Sequence, residues 1–183
     1  MSDLKGKTFK NPVNRDEVTF IEMASENNSE KTILDAVLFP GGGTPLHYHK
    51  TFDETFEVLQ GELMVQAGKQ KIKLTAGEKI TAKKGVHHRF YSESDQPTTF
   101  RTTVTPGHEG FEKFLPILYG LARDGLVDKG SNPKNFRHTA IIMTMSDTRL
   151  IGPLSILGWI FGFVANTDKS KQVREALIEK YCQ

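Results

Sequence analysis

The sequence predicts a mainly β protein, an antiparallel sandwich or barrel, with a C-terminal α-helical extension. Three observations carry that expectation. Short β-type runs follow one another from Glu17 to Thr105, with a Gly or Pro turn signal about every 8 to 12 residues. Beyond Pro106-Gly107 the apolar residues switch to helical offsets. The chain has 183 residues, 37% apolar and 25% charged, which suits a globular protein able to bury a core without a disulfide or a structural metal.

Residues 1–16 are polar and read as an N-terminal arm, ordered only where it packs on something. The barrel is expected over residues 17–110, with strands at Val18–Glu22, Thr32–Phe39, Thr55–Leu59, Glu62–Ala67, Gln70–Leu74, Glu78–Ala82, His87–Ser92 and Thr98–Thr105. Residues 111–183 form the extension. Phe111, Phe114, Leu115, Leu118, Tyr119 and Ala122 place an apolar stripe on one helix that stops at Gly125 and should lie on the barrel. Val173, Leu177 and Tyr181 do the same for a helix over Lys169–Tyr181.

Composition removes several function classes. Twenty-four Lys plus Arg against 22 Asp plus Glu leaves a net charge of +2, too balanced for a nucleic-acid binder. Cys182 is the sole cysteine, so an intrachain disulfide and Cys-based metal sites are excluded. The first residues hold no apolar stretch of signal-peptide length, so a cytoplasmic protein is expected. The run Leu150–Ala165 lacks charge but falls short of the about 20 apolar residues of a membrane-spanning helix, and Pro153 stands near its start. It is expected to be buried over the barrel or paired in a homodimer, with membrane contact as the lesser alternative.

The chemistry concentrates in residues 41–63, GGGTPLHYHKTFDETFEVLQGEL. His47 and His49 stand two apart, so on a strand both project from one face and can bind one ion through neutral imidazoles. Glu54 is at an odd offset from them. A turn over Lys50–Asp53 must re-aim it, so that it opens the next strand facing the histidines. His88 follows on another strand, about 40 residues after His47. His87, of opposite parity, is expected at the surface. The triple glycine Gly41–Gly43 precedes a proline rather than a helix, so it reads as a flexible approach to the metal strand and not as a phosphate loop.

These intervals satisfy the first motif of the cupin superfamily through Gly41, His47, His49, Glu54 and Gly61. Gly77, Gly85 and His88 fit the second, where Lys83 replaces a proline and Ser92 an asparagine. The chain thus resembles a single-domain cupin over about residues 30–112, and the stretch from Pro106 to Phe114 resembles the quercetin-dioxygenase-like branch. The resemblance implies a double-stranded β-helix, or jelly roll, holding a divalent transition metal on His47, His49, Glu54 and His88. Iron, manganese, nickel, zinc and copper all accept such ligands, with iron or manganese first by resemblance. Phe56 and Val58 share parity with Glu54, and Phe90 and Ser92 share parity with His88, so these four should line the cavity. Arg101 is a candidate anion anchor, and His108, in the turn after the last strand, a candidate base at the pocket mouth. The activity implied is a dioxygenase-type oxidation of a small organic molecule. A non-catalytic sensing cupin and a cupin isomerase or lyase are the alternatives.

Overall fold

The computed structural model describes residues 4–151 and 158–183. Eleven strands appear among them: β1 (Thr8–Asn11), β2 (Asp16–Glu22), β3 (Thr32–Leu38), β4 (His47–His49), β5 (Asp53–Gln60), β6 (Glu62–Ala67), β7 (Gln70–Thr75), β8 (Lys79–Ala82), β9 (His88–Tyr91), β10 (Thr98–Thr105) and β11 (Thr148–Leu150). Four α-helices accompany them: α1 (Glu109–Arg123), α2 (Phe136–Met145), α3 (Gly158–Ala165) and α4 (Asp168–Tyr181). The strands form two antiparallel sheets, ordered β1-β2-β3-β10-β5-β8 and β11-β4-β9-β6-β7. The fold is mainly β, a jelly roll with C-terminal helices, as the sequence predicts.

Alternation explains the strands. On β3, Thr32, Leu34, Ala36 and Leu38 turn inward, and on its neighbour β10 so do Thr98, Phe100, Thr102 and Val104. Side chains of period two therefore fill the space between the sheets. The helix α1 starts where the His108 ring accepts from the Phe111 amide and ends just before Gly125, whose φ of +70° suits a helix stop. Its stripe of Phe111, Leu115, Leu118 and Tyr119 is buried, and the helix packs on β1.

The structure departs from the sequence reading in three places. The supposed arm includes β1, which pairs with β2 and makes the arm an edge of the larger sheet. Its Asn11 side chain caps the turn by accepting from the Val13 and Asn14 amides, a local lock invisible to hydrophobic patterning. The extension supplies β11, so it completes the smaller sheet beside β4 as well as packing over the barrel. The triple glycine is pinned rather than flexible. A Cβ on Gly42 would lie 2.7 Å from the Asn14 carbonyl oxygen, and one on Gly43 2.7 Å from that of Phe90. Both glycines are there because backbone passes close by.

Of the run Leu150–Ala165, residues 152–157 lie outside the described residues. In α3, Phe161 and Ala165 are buried, but Trp159 and Phe163 are 74% and 75% exposed. Burial therefore accounts for only one face of that helix. Among the described residues no helix is long and apolar enough to cross a membrane.

Candidate metal centre

His47 and His49 sit on β4, His88 on the neighbouring β9, and His47 and His88 are direct register partners. Glu54 comes from β5 in the opposite sheet, beside Val104 of β10. One ligand atom from each of the four side chains lies within 4.8 Å of all the others. The turn the sequence required is present: β4 ends at His49, β5 begins at Asp53, and Glu54 is re-aimed across the barrel.

That turn is locked from two directions. Asp147, just before β11, accepts through Oδ2 from the Lys50 amide at 2.7 Å, and from the Thr51 amide and hydroxyl at 2.8 Å each. Asp53 accepts from the Lys83 ammonium at 2.9 Å and from the Lys84 amide at 2.8 Å, while the Gly85 amide donates to the His49 carbonyl. Lys83, which departs from the motif's proline, thus anchors the residue next to Glu54. Ser92, in the asparagine position, holds its place through its amide on the Gly42 carbonyl. Asp147 was beyond sequence reasoning, since nothing in its local pattern marks a contact with a turn 96 residues away. Replacing Asp147 by alanine frees three donors and is expected to weaken metal binding by about 10- to 100-fold, the usual loss when a residue orienting the ligands goes. Competition titration against a chelator of known affinity reads that loss.

The ring nitrogens are presented for coordination. His47 and His88 each place Nδ1 2.8 Å from a backbone carbonyl, that of Pro45 and that of Val86, which fixes the tautomer and leaves Nε2 facing the centre. His49 is 2% exposed, and neither of its nitrogens has a hydrogen-bond partner. Its Nε2 stands 3.5 Å from Glu54 Oε2. Phe52 stacks on the ring at 4.2 Å and Phe111 meets it edge-on at 6.3 Å, so packing holds the imidazole where no hydrogen bond does. Buried polar atoms without partners are costly, and a metal ion is what these two sheets and four side chains fit.

Electrostatics agree with that fit. Burial pulls the His47 pKa down to about 3, helped by charge on His88 and His49, so its ring stays neutral and able to ligate. Burial works against charge on Glu54 too, yet its contacts with His49 and His88 outweigh this and hold the carboxyl below its ordinary range. The 2.8 Å bond to Glu54 likewise raises His88 against the effect of burial.

A cavity of about 130 Å³ opens beside the cluster, with His47, His49 and Glu54 in its wall. Phe90 lines it, as the sequence predicts, together with Phe100, Leu115 and Leu118. Other expected pocket residues lie elsewhere. Phe56 and Val58 are fully buried in the core behind it, the Phe56 ring 6.1 Å from that of His88. Ser92 turns its hydroxyl to the Ser94 carbonyl. Arg101 is not an anion anchor: alternation puts it on the outer face of β10, where Nε and Nη2 pair with Asp35 at 2.8 and 3.0 Å. His108 is not placed as a base, because its Nδ1 is engaged as the cap of α1. His87 is exposed beside Tyr48, as its parity requires. Among the lining residues that sequence reasoning did not place in the cavity are Asp16, read as part of the polar arm, and Tyr119, read only as part of the apolar stripe of α1.

Residues 35–105, which span both histidine strands and Glu54, match the family profile described as Cupin domain. Over that segment the chain is similar to cupin domains. The curated relative epoxidase atD of Aspergillus terreus is 28% identical to the chain over 117 residues, covering 61% of the chain and 36% of that protein. The chain therefore spans about a third of the length of that relative. Among solved cupin-like structures, KdgF from Halomonas sp. is 14% identical, covers 55% of this chain and 87% of its own, and superposes with a TM-score of 0.49. An RmlC-like cupin from Shewanella frigidimarina is 18% identical, with coverage of 56% and 86% and a TM-score of 0.48.

Proposed function

We propose that this cupin is a metal-dependent oxidoreductase of the quercetin-dioxygenase-like kind, oxidising a small organic molecule held in the cavity beside His47, His49, Glu54 and His88. The observation that carries the proposal is the convergence of those four ligand atoms beside a largely apolar cavity whose lining includes His47, His49 and Glu54. A bound divalent transition metal would supply Lewis-acid and redox chemistry at that wall. The chain's own residues do the rest. Glu54 brings negative charge from the opposite sheet, the two Nδ1 bonds fix the imidazoles, and Phe90, Phe100, Leu115 and Leu118 exclude water and hold an apolar body by contact. The relative named an epoxidase favours oxidation over the isomerase and lyase alternatives.

Metal analysis of the purified protein, with oxygen consumption measured over a panel of diols and phenols, tests the proposal. Metal-dependent uptake that a chelator abolishes is the expected result. Turnover indifferent to a chelator contradicts metal dependence, and tight ligand binding without turnover moves the chain to the sensing class. A homodimer belongs to the same proposal, since exposed Trp159 and Phe163 of α3, with half-exposed Phe136 at the start of α2, form apolar surface that a second copy would cover. Sedimentation of the wild type and of Trp159→Ser with Phe163→Ser should show a dimer reduced to a monomer. A wild-type monomer contradicts it.

A further inference from the structure

From the polar pair that the metal cluster leaves unused, we infer that Asp16 is a second anchoring point in the cavity, receiving a hydroxyl group of an otherwise apolar ligand. The inference rests on the proposal that this cavity is the ligand site, and it names what the ligand carries away from the metal wall. Asp16 opens β2 and lines the cavity with Val18, the next residue of its parity, while α1 brings Tyr119 over it. The Tyr119 hydroxyl donates to Asp16 Oδ2 at 2.7 Å. Oδ1 is buried and has no partner, and the whole residue is 3% exposed.

A buried carboxylate oxygen without a donor is costly, so its retention in a cavity wall asks for a ligand group that relieves it. Position separates this anchor from the metal cluster. Asp16 pairs with Leu38 at one end of β3, while Glu54 pairs with Val104, whose partner on β3 is Thr32 at the other end. Between them the wall is mostly apolar, with Leu34, Ala36 and Phe100, and Thr102 supplies its hydroxyl among them. Such a wall fits a molecule with an apolar body and one polar head at each end. The head at Asp16 is a hydroxyl rather than an ammonium, because a hydroxyl brings one donor for one free oxygen and an ammonium brings three. Burial raises the Asp16 carboxyl to about 7 despite the Tyr119 bond, so a neutral donor suits it near neutrality.

Calorimetric titration of the full chain with 4-ethylphenol, ethylbenzene and phenethylammonium tests this, in metal-loaded and in chelator-treated protein. At pH 8, where the Asp16 carboxyl is mostly ionised, wild-type protein is expected to prefer 4-ethylphenol to ethylbenzene by about tenfold, the size of one hydrogen bond to a charged acceptor. The double variant Asp16→Leu with Tyr119→Phe, which leaves neither donor nor acceptor side chain at this point, should bring that ratio close to unity, with circular dichroism confirming the fold and metal content unaltered. Should that variant not fold, the wild-type ratio alone decides, and a ratio near unity overturns the inference. So does a preference that survives in the folded double variant, or one that vanishes from wild type on chelation, which assigns the hydroxyl to the metal. Tighter binding of phenethylammonium than of 4-ethylphenol overturns the choice of hydroxyl. If the protein binds no metal at all, a preference that the double variant removes still supports the anchor while the metal proposal falls.

Discussion

Replacing His47 by alanine is expected to lower the metal content of the purified protein well over tenfold. The imidazole is one of three nitrogen donors, its Nδ1 is already committed to the Pro45 carbonyl, and no other described His, Cys, Asp or Glu joins the cluster to take its place. Loss of one of four ligands removes both a bond and the neutral-donor balance around Glu54. The same variant separates metal binding from folding. His47 is only partly buried and is the first residue of β4, so far-ultraviolet circular dichroism should be unchanged while metal analysis falls. His49 should behave differently in metal-free protein, where its two unpartnered nitrogens are a cost and not a gain. His49→Phe is therefore expected to leave the chelator-treated protein as stable as wild type or more so, while abolishing stabilisation by added metal. Unchanged metal content in His47→Ala would remove His47 from the ligand set.

Asp16 carries the other large effect. Its carboxyl rises from an ordinary 3.8 to about 7, first because burial penalises the charged form, with the Tyr119 hydroxyl pulling the other way. The folded protein therefore binds this proton more tightly than the unfolded chain does, and stability falls as pH rises from about 4 to about 7. At about 1.4 kcal/mol per pH unit over that interval, the ionised form costs about 4 kcal/mol at pH 8. His47, pulled down to about 3, gives a slope of opposite sign over part of the same range, so the wild type alone does not isolate Asp16. The difference between wild type and Asp16→Asn does. Urea unfolding at pH 5 and pH 8 should show Asp16→Asn gaining several kcal/mol relative to wild type at the higher pH. A difference independent of pH would mean that Asp16 ionises normally in the folded state.

Both effects begin in the sequence, but to unequal extents. The strands Glu62–Ala67 and Thr98–Thr105 coincide with their sequence-based ranges because Gly61, Gly68 and the Pro106-Gly107 turn bound apolar alternation on either side. The ligand cluster was legible for a similar reason: His47, His49 and Glu54 lie within one turn of chain, and local spacing fixes their parity. Residues whose roles come from distant partners were not legible. Asp16 looked like the end of a polar arm, since the Tyr119 hydroxyl that defines it is 103 positions away. Arg101 looked free until β3 set Asp35 opposite it, and β11 gained strand form from pairing with β4. Parity placed Phe56 and Val58 inside the barrel correctly, but whether an inward residue lines a cavity or fills the core depends on what the opposite sheet and α1 bring over it.

Whether His47, His49, His88 and Glu54 share one ion is read by X-ray absorption of the manganese- or iron-loaded protein. About one ion per chain is expected, with a first shell of nitrogen and oxygen alone and outer-shell scattering from about three imidazoles that drops by one in His47→Ala. A loaded protein holding well under a tenth of an equivalent, or an ion whose spectrum lacks imidazole scattering, would contradict a shared site.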